Sequence, residues 1–186
     1  MLFDLSASET SPLSLSEQDV AALAACGRGT ILLDVAARAD ATLMEFTGTN
    51  GRITLSLRAG RLDGEQVLGA VGRPEGPSGA GSESGIQRRV LDAEDALGLD
   101  DGRLHTIAVS VTEAGTHLYA DGYECFSTTL TAFLSQIGLS DVRIDPDGIA
   151  AVTRLAAWDE PLSDRAVMAQ SLPATPLVQF AASELS

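Results

Sequence analysis

"HTIAVSVTEAGTHLYADGYECFSTT", residues 105–129, alternates in the manner of a β-hairpin and contains two tight turns close together. One tip falls at Glu113-Ala114-Gly115. The second falls at Asp121-Gly122, a residue pair suited to the positive φ angles of a two-residue hairpin loop. Three short antiparallel strands in immediate succession are the expectation. The rest of the chain fits around them.

Upstream, Ser16 is placed to cap a short helix over about residues 16–26, with acidic residues in its first turn and Gly27 ending it. Strand-like runs follow at 30–39 and 41–46, with a turn at 48–51. In "RITLSLR" (52–58), Ile53, Leu55 and Leu57 face one side while Arg52, Thr54, Ser56 and Arg58 face the other. Residues 72–85, "GRPEGPSGAGSESG", carry no apolar side chain larger than Ala and read as one mobile surface loop inside the domain. "IQRRVLDAED" resumes as a strand, and 141–158 supplies two more around Pro146-Asp147-Gly148. Ser163 is placed to cap a closing helix to about residue 171, after which 173–186 is an extended tail or edge strand. Short strands with frequent turn signals, and helices only at the flanks, predict a single all-β domain over 1–186: a two-sheet antiparallel β-sandwich. No period of 20–50 residues recurs, which argues against a propeller or solenoid.

Composition narrows the function classes. The chain has 186 residues, 45% apolar and 20% charged, with a formal net charge of −14. An acidic protein of this kind is a poor match for nucleic acid, whose phosphates need a basic surface. All twelve basic residues are Arg, which reads as the codon usage of a GC-rich bacterial genome. No apolar run is long enough to cross a bilayer, so no membrane partner is expected. The N-terminus lacks a basic segment followed by an apolar one. The expectation is a cytoplasmic protein if the chain is complete, and a secreted one if a leader precedes it. Cys26 and Cys125 are too few for a disulfide framework and read as two free thiols, with a single bridge as the alternative.

The opening stretch resembles the "W-H-t-v-a-v-t … g-t … L-Y-v-D-G" signature of concanavalin A-like jelly rolls, the laminin-G-like and lectin-like domains. Here Leu104-His105 begins the central strand and Leu118-Tyr119-Ala120-Asp121-Gly122 closes the signature. "GIAAVTRLAAWDEPLSDRAVMAQS" (148–171) looks like the family's closing strand and helix. "GTILLDV" and "ITLSLRAGRLDG" are similar to segments of one branch, the lectin-like domain of bacterial sialidases. The resemblance spans roughly residues 13–172 in element order and implies a jelly roll that binds carbohydrate, as a non-catalytic accessory module of a glycoside hydrolase. Members that bind sialic acid carry an Arg on the strand after "G-x-L-G", suited to a sugar carboxylate. Laying "GRLDGEQVLG" along that pattern puts Val67, or a nearby neutral residue, at that place, with Arg58 and Arg61 nearby. The resemblance therefore does not extend to sialic-acid specificity.

Catalytic and metal signatures are sparse. The family's catalytic members carry E-x-D-x-x-E on one strand, to set two carboxylates across a cleft, and no such run exists here. No nucleophile elbow or phosphate loop is present. His105 and His117 lie on different strands without metal-ligand spacing and read as structural. Asp141, Asp145 and Asp147 could offer oxygens to Ca²⁺, which laminin-G-like domains often bind, although acidic turn residues are common. Aromatics for sugar stacking are few, and Trp158 reads as core. The leading expectation is a glycan-binding module lined by Glu45, Arg52, Ser56, Arg58 and Arg143. The alternatives are a small stand-alone enzyme of cyclase or isomerase type, with Glu45, Asp63 and Glu65 as acid/base groups, and a protein-interaction domain. No cofactor is implied beyond calcium, and the oligomeric state is left open.

Overall fold

The computed structural model describes residues 1–6, 13–69 and 98–171, and the backbone of 87–92. The loop expected at 72–85 and the tail at 173–186 lie outside the described residues. The strands are β1 (Phe3–Ser6), β2 (Gly29–Ala36), β3 (Ala41–Gly48), β4 (Gly51–Arg58), β5 (Arg61–Leu68), β6 (Gln87–Asp92), β7 (Leu104–Val111), β8 (Thr116–Ala120), β9 (Tyr123–Thr128), β10 (Leu139–Ile144) and β11 (Ala151–Trp158). The helices are α1 (Glu17–Ala25), α2 (Leu134–Ile137) and α3 (Asp164–Gln170). Two antiparallel sheets form a β-sandwich. One has the order β1-β11-β2-β7-β8-β9 and the other β10-β3-β4-β5-β6.

Period-two alternation builds the core. On β4 Ile53, Leu55 and Leu57 are buried while Arg52 and Arg58 are exposed, as the sequence pattern requires. Facing them from the other sheet are Leu33 and Val35 of β2, Ile107 of β7, Leu118 of β8 and Leu155 of β11. Burying such aliphatic side chains is worth about 1.5–3 kcal/mol each, which makes the space between the sheets the main source of stability. Ser16 caps α1 by a reciprocal pair: its Oγ accepts the Asp19 N–H (3.2 Å), and Asp19 Oδ2 accepts the Ser16 N–H (3.0 Å). Ser163 caps α3 in the simpler way, accepting from Ala166 N–H. α2 and β1 carried no signal in the sequence reading. Both are only four residues long, too short to show a period.

The β8–β9 connection is the two-residue turn expected at Asp121-Gly122, with φ of +50° and +85°. Gly122 is also where α3 meets the turn, since a Cβ there would lie 2.9 Å from Met168 Cα. Gly122→Ala should therefore cost about 1–3 kcal/mol, from left-handed strain together with displacement of α3. A chemical-denaturation midpoint unchanged from wild type would contradict this.

Edge strand β1 is held by side chains as well as by its ladder to β11. Arg154 Nε and Nη2 donate to Asp4 Oδ1 and Oδ2 at 2.9 and 2.8 Å, and Arg154 Nη1 also donates to the Gln170 carbonyl oxygen at the end of α3. The bond to Arg154 keeps the Asp4 carboxyl below its ordinary value of 3.8. A depressed carboxyl stabilises the fold above that ordinary value, and the contribution is lost as pH falls through the folded one. Arg154→Ala should cost about 1 kcal/mol or less at neutral pH, because the pair is partly exposed. It should also flatten the acid limb of stability below about pH 4. Denaturant titrations of both proteins across that limb measure the effect.

Candidate functional site

The two sheets differ in what their outer faces can offer. Behind the six-stranded sheet lies a second apolar cluster of Leu32, Ala108, Tyr119, Ala156, Trp158 and Val167, with Leu162 against it. α3 and the segment before it cover this face. The Tyr119 hydroxyl donates to Asp164 Oδ1 (2.9 Å), and the Leu162 N–H donates to Thr30 Oγ1 (2.8 Å). Thr30, Asp34, Thr106 and Ser110, all on the outward side of β2 and β7, are consequently buried. Trp158 is core, as the sequence suggested, at 8% exposure.

The outer face of the five-stranded sheet has no helix among the described residues laid across its centre. Its register sets side chains in transverse rows. Arg143, Glu45, Thr54 and Glu65 form one row across β10, β3, β4 and β5. Asp141, Thr47, Arg52 and Val67 form the next. Thr42, Ser56 and Asp63 form a third, and Arg58 pairs with Arg61 beside the β4–β5 turn. Glu45, Arg52, Ser56, Arg58 and Arg143, chosen from the sequence, thus share one surface. Ser56 is 5% exposed, so it is floor rather than contact. Thr47 was missed. The alternation that placed Glu45 would have found it, two residues along the same strand.

Electrostatics divide these arginines. Arg143 Nε lies 3.3 Å from Asp141 Oδ2, and its register partner is Glu45. Arg52, Arg58 and Arg61 form no ion pair among the described residues. Arg58 and Arg61 face each other directly across two strands, an arrangement that repels and so favours an anion between or above them. Among the side chains described, four arginines therefore sit on one face of an acidic protein.

The remaining candidates fall elsewhere or do other work. Asp145 Oδ1 accepts the Ile149 and Ala150 amides (both 3.0 Å), and Asp147 Oδ2 accepts the Thr42 amide (3.2 Å). Asp145 and Asp147 fasten a turn, while Asp141 pairs with Arg143. They do not form the calcium cradle considered from sequence, and no metal-binding group of three or more His, Cys, Asp or Glu occurs among the described residues. Glu45 and Glu65 stand in one row two strands apart, so their backbones are roughly 10 Å apart. An apolar cavity of about 70 Å³ lies between the sheets, lined by Met44, Phe46, Leu55, Val109 and Leu118 among others. Among the described residues no carboxylate lines it. Both cysteines are free thiols, with Cys26 Sγ on the Ala22 carbonyl and Cys125 Sγ on the Leu118 carbonyl. Burial raises the pKa of both. His117 Nδ1 lies 3.5 Å from Glu124 Oε1 on the covered sheet, whereas His105 is held between two aspartates, a junction that residue spacing did not signal.

No family model matches the chain, and no curated protein sequence does. Solved structures do match. The Ruminococcus gnavus IT-sialidase CBM40 is 18% identical with a TM-score of 0.60, covering 91% of this chain and 98% of that one. The same module bound to α2,3 sialyllactose matches with a TM-score of 0.59 at 17% identity, over the same shares of the two chains. The leech intramolecular trans-sialidase matches at 0.57 and 16% identity over 89% of this chain and 26% of its own. The two antiparallel sheets and these matches together give the chain a concanavalin A-like fold, like that of the lectin-like CBM40 domains of sialidases.

Proposed function

We propose that this domain is a non-catalytic glycan-binding module that takes its ligand on the outer face of the five-stranded sheet. One observation carries the reading. In the register of this sheet Arg52 pairs directly with Val67, and the family resemblance sets Val67 or a neutral neighbour against the arginine of sialic-acid binders. Arg52 of β4 thus brings a cation into the row that Val67 occupies. Arg58 and Arg61 lie on the same face and Arg143 stands across it. The same fold holds α2,3 sialyllactose in the R. gnavus module, which supports carbohydrate as the ligand class. No aromatic side chain occupies the described rows of the face. Recognition here works through charge and hydrogen bonds, and it favours an acidic sugar.

The enzyme alternative lacks a comparable support. Its carboxylates, Glu45, Asp63 and Glu65, stand on the sheet's outer face and not around the interior cavity, so among the described residues no enclosed site gathers them.

A glycan array on the folded protein tests the reading, and silence across acidic and neutral glycans would overturn it. For an acidic glycan that binds, Arg52→Ala or Arg58→Ala should each weaken affinity by roughly ten- to a hundredfold, the worth of one charge-assisted hydrogen bond. Both side chains are exposed, so stability should move by no more than about 0.5 kcal/mol. Unchanged affinity in both variants would move the site off this face.

A further inference from the structure

His105 is the second residue of β7, on the same side as Ile107 and Val109, and its side chain is 13% exposed. Each of its ring nitrogens faces a carboxylate. Nδ1 lies 2.9 Å from Asp121 Oδ2, and Nε2 lies 3.1 Å from Asp101 Oδ1. Backbone amides hold both carboxylates in place: the Thr106 N–H donates to Asp121 Oδ1 (2.9 Å) and the Arg103 N–H to Asp101 Oδ1 (2.7 Å). Neither aspartate can swing away without losing its amide. A neutral imidazole has a single N–H and would turn its other nitrogen's lone pair onto a fixed carboxylate oxygen. Only the imidazolium donates to both.

Asp101 belongs to the segment 98–103, which touches both sheets. The Leu99 N–H donates to the Gly60 carbonyl (3.2 Å) in the β4–β5 turn, and the Leu99 side chain is 2% exposed. The Gly102 N–H donates to the Ala37 carbonyl (2.8 Å) just past β2. Arg58 and Arg61 form the base of that same β4–β5 turn.

We propose that His105, bonded to Asp101 and Asp121 at once, is a proton-controlled latch that holds segment 98–103 against the β4–β5 hairpin and so sets the position of the Arg58–Arg61 pair. Only the last step, from hairpin to ligand, rests on the glycan-binding reading. The charged groups around the latch come from several elements. Segment 98–103 brings Asp100, Asp101 and Arg103, with Arg103 Nε 3.5 Å from Asp101 Oδ2. The β8–β9 turn brings Asp121. β2 brings Asp34, which accepts from Thr106 Oγ1 at 2.7 Å, and just beyond β2 Arg38 lies against Gly102. Burial opposes charge on the ring, but the bonds and charges of Asp121 and Asp101 outweigh it and raise His105 above its ordinary 6.5. A raised histidine contributes fully below that ordinary value, and its contribution fades as pH rises through the folded one.

Amide hydrogen exchange and ring titration by NMR on the full chain test the latch without any glycan. From about pH 5.5 to about pH 8.5, protection of the Leu99 amide, corrected for intrinsic exchange, should fall by a factor of roughly two to five, the range for a partly exposed ion pair. The Leu33 and Ile107 amides in the core should hold. Asp101→Asn keeps an acceptor but removes the charge, so it should lower the His105 pKa and flatten the Leu99 profile. His105→Gln should abolish the pH dependence altogether. A flat Leu99 profile in wild type, or a His105 that titrates at or below 6.5, overturns the latch. If Leu99 responds and a glycan found on the array binds equally at both pH values, the coupling to the face is overturned. Should the array be silent while Leu99 responds, the latch stands and the glycan reading fails.

Discussion

Strand β2 has no solvent-facing side, and the rest of the molecule follows from that. Leu33 and Val35 point into the space between the sheets, while Thr30, Leu32 and Asp34 point the other way and are equally buried. A strand buried on both faces needs a cover on each. The five-stranded sheet supplies one. α3 and the segment leading to it supply the other, through Val167, Leu162 and the bond from Tyr119 to Asp164. Asp34 shows the cost: burial raises its pKa, and the Thr106 hydroxyl bond only partly offsets that.

The cover over β2 also decides which broad surface is left uncovered among the described residues. The six-stranded sheet has its centre occupied, so the broad polar surface left is the outer face of β10, β3, β4 and β5. Antiparallel register then does what no single strand could. It stacks residues distant in sequence, such as Arg143 and Glu45, or Arg52 and Val67, into rows at the strand spacing of about 4.8 Å. On a chain with a net charge of −14, that face interleaves Arg52, Arg58, Arg61 and Arg143 with Glu45, Asp63, Glu65 and Asp141, and Arg52, Arg58 and Arg61 form no ion pair among the described residues. A weak general repulsion of anions and a specific local attraction are compatible, because screening confines each field to about 8–10 Å.

The inter-sheet connections matter for the same reason. Leu99 reaches Gly60, and Gly102 reaches Ala37, so one short segment ties the hairpin of the open sheet to the covered sheet. His105 secures that segment through Asp101. Under the latch proposed above, a protonation event on one sheet would be felt on the other, at the β4–β5 hairpin that carries Arg58 and Arg61.

By itself the sequence determined the sandwich, the three-strand unit around Glu113-Ala114-Gly115 and Asp121-Gly122, the caps at Ser16 and Ser163, and the polar face of β4. Each of these rests on local chemistry: period-two alternation, a turn pair that accepts positive φ, a hydroxyl placed before a helix. It also picked out five residues that proved to share a face, because alternation within a strand fixes sidedness. Tertiary structure alone decided that this face has no helix across its centre among the described residues, that Ser56 is buried, and that Asp145 Oδ1 and Asp147 Oδ2 accept backbone amides. It alone set Arg52 opposite Val67 and placed His105 between two aspartates four and sixteen residues away. Those facts depend on strand order and register between segments far apart in the chain, and periodicity within one strand carries no information about its neighbour.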